Sequence, residues 1–304
     1  MTQRIFVTGA SGYIGSAVAA RLARAGHEVF GLTRSRERAR VITALGVKPV
    51  FGDLATPADW TGVLQNCDWA VHAAFDAEHG APEQDENALD AFRTAALDGR
   101  LRKLIYTSGI WVHGASAQVL DETAPLKPLK LVQWRAAHEE IALDLSSHEV
   151  VTLVMRPGMV YGEHRGVFGN WFAEAHQEKT VTYPGDGSQH WGMVHRDDVA
   201  EGYALALEDG ETSGRYLLVD ESCHTVKELA EAAAKAAEAK AKAWPAEEVI
   251  ETLGPYGKAL LNDLQVTSAK ARRELGWVPR HTSFVTEAPE LWREWQEARQ
   301  APVA

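Results

Sequence analysis

The stretch VTGASGYIGSAVAARL, Val7 to Leu22, sets Gly9, Gly12 and Gly15 between an apolar run and an amphipathic one. Each glycine has a physical task in such a turn. Gly9 permits the tight reversal, Gly12 lets the backbone approach a pyrophosphate, and Gly15 lets helix and strand pack closely. Ser11, Tyr13 and Ile14 fill the positions between them and share the expected phosphate site. The anion would lie at a helix N-terminus, where unpaired N–H groups and the helix dipole favour negative charge. The competing reading is a glycine-rich turn without a ligand, and the flanks argue against it. RIFVTG (4–9) reads as a buried strand, and Ile14, Val18 and Leu22 share one face of a helix over 14–25.

The same rhythm continues outward. HEVFGLT (27–33), KPVFGDL (48–54), DWAVHAAF (68–75), RKLIYTSG (102–109) and VVTLVMRPG (150–158) read as strands. Helical stretches separate them, including one over 85–98 and one over 131–147. Strand and helix in alternation imply crossover units, hence an α/β fold with a doubly wound parallel sheet, a Rossmann arrangement. Beyond Gly158 the pattern loosens, which predicts a smaller C-terminal α+β substrate lobe. The expected division is 1–160 for the dinucleotide-binding core and 161–304 for the lobe, with segments near 192–220 returning to the core. TVKELAEAAAKAAEAKAKAW (225–244) reads by propensity as one solvated surface helix.

Composition narrows the function. A net charge of -11 argues against a nucleic-acid surface. No apolar run approaches the ~20 residues that a membrane-spanning helix needs. Cys67 and Cys223 match no metal spacing and form no disulfide framework, so a reduced, cytoplasmic setting is expected and no metal is. No Gly-x-Ser-x-Gly elbow is present. At the end of the second strand an acidic residue would accept from adenosine ribose hydroxyls, but GLTRSRERAR places Thr33, Arg34 and Ser35 there. Arg34 and Ser35 are candidates to hold a 2′-phosphate, so NADP(H) is expected over NAD(H). Arg38 and Arg40 read as a solvated helix start.

The motifs TGASGYIG, GDL (52–54), VHAAF (71–75), TSGIWVHG (107–114), RPGMVYG (156–162), VHRDDVA (194–200) and KARRELGWVP (270–279) occur in an order that resembles the extended short-chain dehydrogenases/reductases, the NAD(P)-dependent epimerases, dehydratases and reductases. The resemblance runs from Arg4 to about Trp295. It implies adenine contacts from Asp53 and Leu54. It also implies a nicotinamide side formed by Ala73, Ala74, Phe75, Ser108, Arg135, Pro157, Gly158 and Met159. That family uses a hydroxyl residue with a Tyr and a Lys one helical turn apart. Here Ser108 stands one residue before the hydroxyl position, and the Tyr and Lys positions fall on Leu131 and Arg135. No tyrosine occurs between Tyr106 and Tyr161, so no shift of alignment restores the pair. Arg135 keeps a positive charge but cannot relay a proton.

Proton transfer near neutrality points first to histidine. His113, on the loop after the strand carrying Ser108, and Tyr161, after a later strand, are the candidates; a loop histidine bonded to backbone and a structural tyrosine are the plain alternatives. His195 and Asp198 match a stretch that in the resembled family ties the lobe to the core, and His72 reads as a satisfied core residue. Trp111, Trp134, Trp171, His190 and Trp191 fall in segments expected around the substrate and predict a flat-walled apolar pocket, against ordinary packing. Two classes of function follow. One is an NADP(H)-dependent oxidoreductase of a small, fairly apolar carbonyl or alcohol, with a redox-neutral epimerase or dehydratase as its variant. The other is a silent NADP(H)-binding sensor. Helices near 85–98 and 131–147 resemble those of a family dimer interface, so a homodimer is expected.

Overall fold

The computed structural model describes residues 2–75, 80–210 and 212–300. Strands β1 (Arg4–Thr8), β2 (Glu28–Thr33), β3 (Lys48–Phe51), β4 (Trp69–His72), β5 (Lys103–Thr107) and β6 (Val151–Pro157) stand at the expected segments. With β10 (Gly214–Leu218) they form a 7-stranded sheet in the order β10-β6-β5-β4-β1-β2-β3. Every pairing in it is parallel. Successive side chains of a strand point to opposite faces, and both faces here are covered. Ile5 and Val7 of β1 enter the core beneath α1 (Tyr13–Arg24) and α7 (Arg196–Glu208). Phe6, between them, enters the opposite core with Trp60 and with Phe92 of α4 (Ala81–Asp98). The crossovers are completed by α2 (Arg36–Ala44), α3 (Thr61–Leu64) and α5 (Arg135–Asp144). The last starts later than the expected 131. Leu131 lies in a separate 3-10 turn, Lys130–Val132, off the helix.

The second lobe is built from β7 (Met159–Tyr161), α6 (Gly166–Glu178), β8 (Thr180–Pro184) and β9 (Met193–His195). Beyond β10 follow α8 (Val226–Ala236), β11 (Lys240–Trp244), α9 (Ala246–Leu260) and α11 (Phe284–Gln300), while α10 (Ala269–Leu275), between the last two, packs back on α7 and β10 of the core. The lobe's own core is aromatic, with Tyr161, Phe168, Trp171, Phe172, Trp191 and Phe284 all buried.

The surface helix expected over 225–244 is corrected twice. Helix α8 ends at Ala236, and KAKAW becomes β11, paired in parallel with β8. Nor is α8 solvated all round: Val226, Leu229, Ala230, Ala233 and Ala234 are buried. Glu238 takes a left-handed φ of 52°, which breaks the helix, and the free edge of β8 supplies backbone partners that outweigh propensity.

Candidate functional site

The order of the sheet reverses between β1 and β4, and their outgoing loops diverge to leave a crevice beyond the carboxyl ends. Gly9 adopts φ +67°, and a Cβ on it would lie 2.5 Å from Ala73 O. A Cβ on Gly15 would lie 2.2 Å from Gly9 O. A side chain at either position therefore breaks the turn. Helix α1 opens at Tyr13 without a side-chain cap from Gly12, which leaves its first N–H groups for an anion. The cavity holds about 480 Å³ and is lined by Gly9, Ser11–Ile14, Leu32–Arg34, Arg38, Gly52–Leu54, Ala73–Phe75 and Gln84. Backbone cradle, uncapped helix end and a cavity lined from the loops after β1, β2, β3 and β4 fit a dinucleotide.

Positive charge gathers at one end. Arg34 Nη1 lies 3.6 Å from Asp53 Oδ2, while Asp53 Oδ1 accepts from Ala55 N at 2.9 Å. Ser35 is used as the N-cap of α2, accepting from Arg38 N at 3.2 Å, and Thr33 is buried. Arg38, read in the sequence as solvated, instead lines the cavity, with Nη1 3.5 Å from Ser11 O. Arg165 Nη1 approaches the same carbonyl at 3.3 Å. Sequence position alone did not reveal that a helix turn carries Arg38 back over the glycine loop.

At the other end Arg135 is buried, donates from Nη1 to Thr107 O at 2.7 Å, and lies between two rings. Its guanidinium carbon is 5.1 Å from the Phe75 centroid and 4.7 Å from that of Trp134. Pro157 closes β6 beside the β5 loop, and Gly158 and Met159 are tied to Leu218 O and Gly192 O. Ser108 Oγ and His113 Nδ1 are enclosed and have no hydrogen-bond partner among the described residues. For His113 the tautomer can be derived. Arg156 Nη1 lies 3.1 Å from His113 Nε2, and a guanidinium only donates, so Nε2 accepts and Nδ1 carries the proton. Glu139 grips Arg156 through both carboxylate oxygens and also accepts from Arg215. Burial, reinforced by the Arg156 charge, lowers the His113 pKa to about 4.

Other named residues lie elsewhere. Tyr161 is fully buried in the lobe, its hydroxyl donating to Asp220 at 3.3 Å, and burial drives its pKa far up. Trp171 and Trp191 stack on each other in the same core, 5.9 Å apart. His190 is bonded through N and Nδ1 to Asp263. His195 caps α7 and stacks on His281 at 3.6 Å between centroids. The structure also assembles a buried group that no motif signalled. Asp85 accepts from His72 Nε2 at 2.9 Å, His138 Nδ1 at 2.7 Å and Tyr106 at 2.8 Å, and His72 Nδ1 meets Thr8 Oγ1 at 2.7 Å. Burial opposes ionisation of Asp85, but His72, the hydrogen bonds and Arg135 overcome it and hold the carboxyl well below its usual range. This ties β1, β4, β5, α4 and α5 together directly under the cleft.

Over residues 5–218 the chain matches the model of a family described as NAD dependent epimerase/dehydratase. An uncharacterized protein of Schizosaccharomyces pombe is 31% identical over 93% of this chain and 97% of its own. The 4-hydroxy-2-methyl-3-oxo-4-farnesyl-3,4-dihydroquinoline-1-oxide ketoreductase of Stigmatella aurantiaca is 27% identical, with 92% and 93% covered. Among solved structures, the dTDP-glucose 4,6-dehydratase of Streptomyces venezuelae with NAD bound superposes with a TM-score of 0.83 at 21% identity, over 99% of this chain and 100% of that one.

Proposed function

The chain belongs to the NAD dependent epimerase/dehydratase family, and from that premise we propose that it is an NADP(H)-dependent reductase of apolar ketones. The observation that carries the reading is the cleft, with its glycine cradle and with Arg34 and Arg38 in its lining. When bound, the nicotinamide supplies or accepts the hydride. The chain's own residues bind and orient. Gly9, Gly12, Gly15 and the first turn of α1 take the pyrophosphate. Arg34 and Arg38 take a 2′-phosphate, and Arg135 holds the ribose side between Phe75 and Trp134.

Ser108 and His113, whose Oγ and Nδ1 are enclosed in the loop after β5, are assigned to hold that loop beside the carbonyl rather than to contact its oxygen. His113, its pKa lowered to about 4 by burial and the Arg156 charge, is neutral at pH 7 and is not the proton source. Tyr161 is enclosed in the lobe, which leaves ordered water as the source of the proton that the oxygen gains. The ketone activity named for the Stigmatella relative supports the substrate class. A homodimer through α4 and α5 and a cytoplasmic setting belong to the same reading, the latter supported by two unpaired cysteines.

The second reading, a silent NADP(H) sensor, is favoured by Leu131 and Arg135 standing where a proton-relaying pair would be. One experiment separates them. NADPH and NADH are titrated by calorimetry, and the NADPH complex is then offered a panel of ketones while cofactor absorbance is followed. Tighter binding of NADPH with turnover is expected. Binding with no turnover across the panel makes the protein a sensor, and no binding removes both readings.

A further inference from the structure

Four aromatic side chains stand part-exposed where the ends of β4 and β5 meet the second lobe. Phe75 follows β4 and is 51% exposed. Trp111 lies in the 3-10 turn Ile110–Val112 after β5, and Trp134 precedes α5. Tyr256 belongs to α9 and is 38% exposed. The first three come from the core. Tyr256 reaches Trp111 from the other lobe, and sequence reading did not find it.

Its position has a mechanical cause. Helix α9 is interrupted at Gly254, with φ 57° and ψ -129°, and Pro255 follows. Proline cannot donate its backbone nitrogen and clashes with the preceding turn, so the helix cannot run straight through. Space around Gly254 is open, so glycine is needed there for its backbone conformation and not for room. The break re-aims the last turn of α9, and Tyr256 meets Trp111 edge to face, with centroids 6.2 Å apart at 64°. Both partners are anchored. Leu129 N donates to Trp111 O at 3.2 Å, α9 packs against the turn Lys130–Val132, and Asn262 Nδ2, just beyond α9, donates to Gly114 O at 3.3 Å.

We infer that Trp111 and Tyr256 form a wall, shared between the two lobes, that selects flat ring-bearing ketones over small or aliphatic ones. Trp111 stands on the loop that follows β5, at the carboxyl edge of the parallel sheet where ligands of such folds lie, so a ketone bound beyond that edge meets this pair. Edge-to-face rings leave aromatic surface for a third ring, and such contacts favour planar partners beyond the area they bury. Because Tyr256 rides on the segment after a backbone break, the wall is set by α9 and is separable from the cofactor cradle. The inference rests on the reductase reading, which puts a ketone beyond the carboxyl ends of β4 and β5.

The test measures binding before chemistry. Calorimetry gives Kd for 2-tetralone, a bicyclic ketone, and for cyclohexanone, with and without NADP⁺, for the whole chain and for Trp111→Ala, Tyr256→Ala and Tyr256→Phe. Thermal melting checks that each variant folds. The expected result is tighter binding of 2-tetralone than of cyclohexanone by the unaltered chain. Each alanine variant should weaken 2-tetralone about tenfold or more. Cyclohexanone and NADP⁺ should be nearly unchanged, and Tyr256→Phe should bind like the parent. Equal losses for both ketones would reduce the pair to a structural contact. No loss, or no binding of 2-tetralone to the parent, would overturn the wall. Binding that follows this pattern without NADPH oxidation would instead sink the reductase reading and leave the wall standing.

Discussion

At the scale of residues, Arg34 and Arg38 divide the cofactor question between them. Both line the cavity, and Arg34 is the one that Asp53 faces at 3.6 Å. An adenosine 2′-phosphate would bring a charge that these guanidinium groups can fork onto, whereas a bare ribose would not. Arg34→Ala and Arg38→Ala should each weaken NADPH about tenfold or more and leave NADH within about threefold, by the strength of charge-assisted pairs. Fluorescence titration of both cofactors checks this, and equal losses would place the arginines on the pyrophosphate instead. Gly9, Gly12 and Gly15 were legible because their backbone demands are local. Arg38 and the Asp85 group were not, because which side chains meet under a sheet depends on elements far apart in the chain.

At the scale of elements, most strands could be read from apolar runs, because strands buried on both faces need continuous hydrophobic sequence. The segment 225–244 could not, since its alanines and lysines favour helix throughout. Helix α8 begins with a capping box in which Thr225 Oγ1 accepts from Glu228 N and Glu228 accepts in return from Thr225 N. Thr225→Ala should cost about 1 kcal/mol of stability, the usual worth of such a cap. Urea unfolding followed by circular dichroism reads it, and an unchanged midpoint would mean that the buried face of α8 alone fixes its start.

For the whole molecule, the join between lobe and core carries its own pH dependence. Asp198 of α7 accepts backbone N–H bonds from Arg280 and His281, both at 2.9 Å, and Trp277 donates to Asp198 O. Above this join His195 and His281 stack, and burial, then the His281 charge, lowers the His195 pKa from 6.5 to about 4. His113 is lowered likewise. The unfolded chain therefore binds protons at these residues where the folded chain does not. Their neutral burial supports stability above about pH 6.5, and that support is lost as pH falls toward 4. The urea midpoint should drop through this window. His195→Asn, which keeps an oxygen to cap α7, should show a shallower drop; an identical profile would assign the acid sensitivity elsewhere.

What the amino-acid order decided by itself was the α/β alternation and the glycine turn. Both are set by interactions within a few residues: apolar periodicity, positive φ and close backbone approach. What only the tertiary structure decided was which side chains share the site. It enclosed Tyr161, Trp171 and Trp191 in the lobe, fixed the His113 proton on Nδ1 through Arg156, and brought Tyr256 across to Trp111. Those outcomes turn on burial and on partners more than forty residues apart in the chain, as His113 is from Arg156. Local sequence has no means of encoding them one residue at a time.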